Sequence, residues 1–293
     1  MRAMLLPVLM ISLAIPAQVE ASDGKAISLP KQGKWEVNYD VDSCHLLGKF
    51  GTGKDEVVMR ITRYQPSDWF DLTLFGNPVD LNNSTQVKVE LGFGTQKAAP
   101  SNAVVGNAGK DRPMLIFSNL RLDGWQPNTK SKTPVVPPLI TPDQEGGVQS
   151  IAFKLPARKR YQLETGSMAK PLAALRQCNS DLVKYWGFDP AVQASLTRWA
   201  TPLSDPARWL GTRDFPTKSL ENGHNGLVQF RLDVDETGKV STCRVLYRTN
   251  PDDFADLSCK LISQRAKFAA ALDAAGKPVR SYYISKILWV VAG

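Results

Sequence analysis

The sequence has few of the residues that catalytic and metal sites are built from. It has two histidines, His45 and His224, and four cysteines, none of them in a Cys-x-x-Cys pair. That removes the usual zinc-ligand patterns. Gly-x-Ser-x-Gly does not occur, so a Ser-His-Asp triad would have to use one of those two histidines. Gly48 to Asp55 matches Gly-x4-Gly-Lys, but Asp55 stands where a P-loop needs a hydroxyl for magnesium. A strand pattern, Glu56 to Ile61, follows it instead of a helix, so the segment reads as a hairpin loop. No run of apolar residues reaches the ~20 that a membrane-spanning helix requires. Nothing in the chain singles out a catalytic residue, metal ligand or cofactor, and the expectation is a protein without enzymatic activity.

The net charge of +8 invites a nucleic-acid reading, most of all at Arg158, Lys159 and Arg160. The basic residues are spread along the chain, however, so they read as a solvated surface. At the N-terminus Arg2, the apolar run Leu5 to Ile15 and the Val19-Glu20-Ala21 site form a secretory signal pattern, with cleavage after Ala21. The expectation is an exported chain with no membrane anchor once the signal is removed, in a compartment where disulfides persist. Four cysteines allow three pairings. Cys243 and Cys259 fall within one small unit and form the simplest pair, which leaves Cys44 with Cys178. The shorter loop would contribute ~3 kcal/mol on a chain-entropy argument.

The expected fold class is α+β. Residues 22–190 read as a β-rich, sandwich-like domain closed by a helix. Short alternating segments such as Trp35 to Tyr39, Val57 to Ile61, Val87 to Phe93 and Met114 to Leu122 are separated by turn residues. Ala98 to Arg112 and Pro127 to Pro142 read as loops. Leu172, Leu175, Leu182 and Trp186 recur at helical spacing and include Cys178 among them. Trp35, Tyr64, Trp69, Phe70 and Trp125 could line a pocket in this domain. It therefore carries the alternative expectation of an enzyme or small-ligand binder that uses the C-terminal unit for targeting. Residues 191–212 read as a linker.

Residues 213–293 form a second, compact unit. Gly226, Val228, Phe230, Leu232 and Val234 alternate as a half-buried strand requires. Asp235 to Gly238 makes a hairpin turn, Val240 to Arg248 returns, and Phe254, Leu257, Leu261, Ile262 and Phe268 mark a helix. Val279 to Val291 is expected as a long third strand, giving a three-stranded antiparallel sheet with packed helices.

The order of motifs in this unit is Phe215-Pro216, the Gly226 strand, the acidic hairpin ending at Gly238, Arg265 to Phe268, Gly276 to Val279, and a last aromatic strand with Trp289. It resembles the C-terminal domain of the TonB family. The Trp-led strand before Cys44 and the helix from Cys178 to Trp186 are similar to an arrangement in some alphaproteobacterial TonB-like proteins. The resemblance implies a periplasmic location in a Gram-negative envelope. It also implies recognition of the TonB box of outer-membrane transporters and a part in transmembrane transport. The physical mode would be strand addition at an exposed sheet edge, here around Arg280, Tyr282, Ile284, Lys286 and Leu288. The expected partners are proteins, not nucleic acid. TonB itself pulls through an uncleaved transmembrane helix, so the expected role for this chain is to bind without transmitting force.

Overall fold

The computed structural model describes residues 25–81, 86–109, 111–126, 137–249 and 253–291. The expected signal segment, residues 1–21, lies outside the described residues, as does most of the Pro-rich stretch after Gln126. No described helix is long and apolar enough to cross a membrane.

The N-terminal domain is a closed barrel, not the expected sandwich. Its strands are β1 (Ile27–Tyr39), β2 (Cys44–Phe50), β3 (Val57–Arg63), β4 (Phe70–Phe75), β5 (Gln86–Phe93), β6 (Ala99–Ala108), β7 (Arg112–Leu120), β8 (Ile151–Lys154) and β9 (Arg160–Glu164). They run around the barrel in the order β1-β2-β3-β4-β7-β6-β5-β8-β9. Closure is the work of β1. Its first residues, Ile27 to Pro30, pair in parallel with β9, and the remainder pairs antiparallel with β2. The register shifts between Gln32 and Glu36, where Gly33 has φ 63°. One bent strand thus serves both neighbours and leaves the sheet no free edge.

The stretch Ala99–Ala108, expected as a loop, is β6 and pairs with both β5 and β7. The Gly48 to Asp55 segment is the end of β2 and a short turn into β3, as expected of a hairpin. Val57, Met59 and Ile61 of β3 point inward with Leu46, Leu72, Phe117 and Phe153, all fully buried. After α1 (Pro142–Gly147), helix α2 (Ala169–Tyr185) covers the barrel with Leu172, Leu175, Cys178 and Leu182. The Cys44–Cys178 disulfide ties α2 to β2, with the two Cα atoms 6.0 Å apart.

Residues 191–212 are built into the fold. Helix α3 (Pro190–Ala194) and β10 (Thr201–Pro202) lie there, and Trp209 is buried. The C-terminal unit continues with α4 (Thr217–Glu221), β11 (Gly226–Val234), β12 (Val240–Arg248), α5 (Asp253–Arg265), β13 (Phe268–Ala269), β14 (Ala271–Leu272), β15 (Pro278–Val279) and β16 (Ser281–Trp289). The three-stranded antiparallel sheet has the order β12-β11-β16. The expected long last strand is split: β15 pairs with β14, and β16 alone joins the main sheet. Gly238 closes the β11–β12 hairpin at φ 82°, and a Cβ there would collide with the Phe268 carbonyl. Helix α5 packs across β11 and β12. The Cys243–Cys259 disulfide joins β12 to α5, with Cα atoms 5.5 Å apart.

The other face of this sheet rests on the barrel domain. Tyr282 meets Trp186 and Phe188 edge-on at 5.4 and 5.3 Å. Arg244 Nε donates to Asp42 at 2.6 Å. Gln193 of α3 donates to the Arg280 carbonyl and accepts from Ser281 Oγ.

Candidate partner-binding site

Strand β16 ends its sheet, with no further strand paired to it among the described residues. The direction of its backbone groups follows from its neighbour. On β11, Leu227 takes the Thr249 amide on its carbonyl and donates its own N–H to Thr249 Oγ1, so Leu227 faces β12. Backbone groups alternate along a strand, so Gly226, Val228, Phe230 and Leu232 face β16. Their partners are Trp289, Ile287, Ser285 and Tyr283. The intervening residues Tyr282, Ile284, Lys286 and Leu288 therefore direct N–H and C=O away from the sheet. At the near end the Arg280 carbonyl, also outward, is already taken by Gln193.

Two cavities flank this edge. On the α5 side, a groove of about 430 Å³ runs along Ser285 to Val290, walled by Trp209, Leu210 and Phe215. On the barrel side, a cavity of about 210 Å³ lies between Tyr64, Trp69, Asp71 and Asn119 of the barrel and Ile284, Ser285 and Lys286 of β16. Asn119 donates its amide to Asp71 Oδ1 at 2.9 Å and sets its side-chain oxygen 3.5 Å from Lys286 Nζ. Its φ of 55° is one of two positive values among the described non-glycine residues. Burial pushes the Asp71 carboxyl up from its ordinary range, and Lys286 opposes that shift. Burial likewise raises the Tyr64 phenol, which stays protonated and able to donate.

The side chains of the expected edge residues have unlike surroundings. Arg280 lies 5.5 Å over the Phe188 ring. Tyr282 is buried at 3 % exposure in the contact between the domains, and burial pushes its phenol up. Ile284 packs beside it, Lys286 faces Asn119, and Leu288 is 60 % exposed. What these residues share is an outward backbone. Asp71, Asn119, Gln193 and Trp209 were not anticipated, because they come from separate elements and carry no joint signal in sequence.

The motif residues have structural places. Phe215 meets Phe254 and Trp289 edge-on at 5.4 and 5.5 Å. Pro216 precedes α4, Gly226 opens β11, Phe268 lies in β13 and Pro278 in β15. His224 is exposed in a turn, whereas His45 is part-buried on β2 between Ser43 and Thr62. Of the five aromatic residues considered for a pocket, Tyr64, Trp69 and Phe70 line the barrel-side cavity. Trp35 packs on Phe50 and Trp125 on Trp69, each edge-on at 5.8 Å.

No curated protein and no solved structure matches the chain. Residues 212–291 match the family described as Gram-negative bacterial TonB protein C-terminal. The sheet, helix and motif positions above occupy that span, and the C-terminal unit is a TonB-type C-terminal domain.

Proposed function

We propose that this chain is a non-enzymatic periplasmic binding protein that recognises an extended segment of a protein partner by strand addition to β16. The observation that carries this reading is the unpaired outer edge of β16, where Lys286 and Leu288 turn their backbone groups outward beside the apolar groove. An added strand would gain main-chain hydrogen bonds from the edge and side-chain contacts from the flanking walls. Membership of the C-terminal unit in the TonB family supports TonB-dependent outer-membrane transporters as the partner class, with their TonB box as the segment bound. The two histidines lie in different elements, His45 between Ser43 and Thr62 in a barrel strand and His224 in an exposed turn, which supports a binding role over histidine-based catalysis.

The test is titration of the full chain with synthetic peptides carrying TonB-box segments of such transporters, read by fluorescence anisotropy. Lys286→Pro removes an outward N–H and spares the pairing with β11. The expected result is saturable binding by the parent and none by the variant at equal fold content. Equal binding by both, or none by the parent, would overturn the reading.

A further inference from the structure

Strand addition to a TonB-type sheet needs only that sheet, yet here the barrel reaches the same edge. Ser285 and Lys286 line both cavities, so the groove and the barrel-side cavity flank one stretch of β16. A strand laid against this edge continues the pleat, sending alternate side chains to opposite faces of the sheet. One set would meet the α5 side, where Trp209, Leu210 and Phe215 present an apolar wall. The other set would meet the barrel.

The barrel side has a different chemistry. Asp71 and Asn119 project from β4 and the end of β7, and Lys286 comes from the sheet. The carboxylate and the ammonium oppose each other's charge, and Asn119 stands in contact with both. Tyr64 adds a protonated phenol and Gln229 an amide. Such a lining has donors and acceptors and charges of both signs, with Asp71 set against Lys286 and the neighbouring Arg63. It suits an uncharged hydrogen-bonding side chain and penalises an apolar one, which would leave these groups unpaired.

We propose that the barrel is the second half of the recognition site. Asp71 and Asn119 select an amide or hydroxyl side chain where the bound strand passes Ile284 to Lys286, and the α5 face selects the apolar ones on either side of it. The fitting partner is therefore an extended peptide in which an uncharged polar residue alternates with apolar ones on either side. This rests on strand addition at β16, which could hold without it.

The experiment is selection of a phage-displayed random dodecapeptide library on the full chain and on variants. Parent selections are expected to yield alternating sequences, with Gln, Asn, Ser or Thr in one register and aliphatic residues in the other. In Asp71→Leu, enrichment of the polar register should fall by about tenfold while the apolar register is kept. Asp71→Asn retains an acceptor for the Asn119 amide and removes the one carboxylate of a lining that also holds Lys286 and Arg63. It should shift that register toward Asp and Glu, and it decides the matter if Asp71→Leu fails to fold. Alternating sequences unchanged in both registers by the Asp71 variants would overturn the barrel's role and leave strand addition standing. A parent that enriches no alternating sequence would overturn both.

Discussion

Arg231 holds its guanidinium 4.2 Å from the ring centroid of Trp186, and this contact joins the sheet to the end of the helix that closes the barrel. Arg231 is 5 % exposed and also bonds Asp233 at 2.8 Å, so a charge on the sheet's buried face is balanced by a carboxylate and a ring. A desolvated cation–π pair is worth ~2 kcal/mol. With the Tyr282 contacts and the Asp42–Arg244 pair, it makes the two domains one body instead of two tethered ones.

Trp186→Ala should uncouple them. The substitution removes the ring over Arg231 and the edge-on partner of Tyr282 together. A loss of about 3 kcal/mol is expected, the low end for deleting a packed Trp. Differential scanning calorimetry should show one transition in the parent and two in the variant. A single transition at the parent temperature would mean that the interface adds little.

A second prediction concerns a charge inside the barrel. Arg63 is 1 % exposed, its Nε has no hydrogen-bond partner, and burial pushes its pKa down to about 10. A lowered pKa on a base marks a cost of holding the charged form, fully present at any pH below that value. From the ordinary 12.5 the cost is ~3 kcal/mol. Arg63→Met should therefore leave stability unchanged or raise it, by up to that amount. Arg176→Met should do the opposite, since Arg176 is the partner of the fully buried Glu145. Removing it takes the hydrogen-bonded partner from a buried carboxylate, at ~3 kcal/mol or more. Urea denaturation of the two variants side by side checks the contrast.

The difference between what sequence showed and what it hid follows contact range. The C-terminal unit was legible because its signals are local: alternation from Val228 to Val234, a glycine required at Gly238, and helical spacing from Phe254 to Ile262. The barrel's closure was not, since β1 pairs with β9 across more than half the domain and its bend at Gly33 looks like any turn. Strand β6 escaped because it is largely exposed, so Ala99 to Ala108 shows no apolar alternation. The binding edge was half visible. Val279 to Val291 could be marked as a strand, but which of its residues turn their backbone outward depends on pairing with β11. Asp71 and Asn119 lie on different strands and come together only in the closed barrel.

His45 should make the barrel acid-sensitive. Its ring bonds Ser43 Oγ and Thr62 Oγ1, and burial, then Arg60, lower its pKa from 6.5. Asp40, 3.8 Å away, pulls the other way but does not prevail. The unfolded chain then binds a proton at a pH where the folded chain does not, so stability falls as pH drops below 6.5 toward the lower folded value. Above 6.5 the effect vanishes. Thermal melts between pH 7.5 and about 5 should show a falling midpoint. In His45→Gln, which keeps a hydrogen-bonding side chain, the slope should flatten. An unchanged slope would assign the acid sensitivity to carboxylates.

The last prediction tests the backbone directions on which the binding edge depends. Ser285 pairs with Phe230 and faces β11, whereas Lys286, one residue on, faces outward. Proline cannot donate, and sheets tolerate it only where the lost N–H points to solvent. Ser285→Pro should therefore break a ladder bond and leave the Phe230 carbonyl unpaired in a buried strand, costing ~2 kcal/mol or more. Lys286→Pro should cost little, apart from its contact with Asn119. Neighbouring positions on one strand thus give opposite outcomes that depend only on register. Circular dichroism melts of the pair read it directly. A destabilised Lys286→Pro beside a tolerated Ser285→Pro would reverse the assignment, and would place the outward groups of β16 at Tyr283, Ser285 and Ile287.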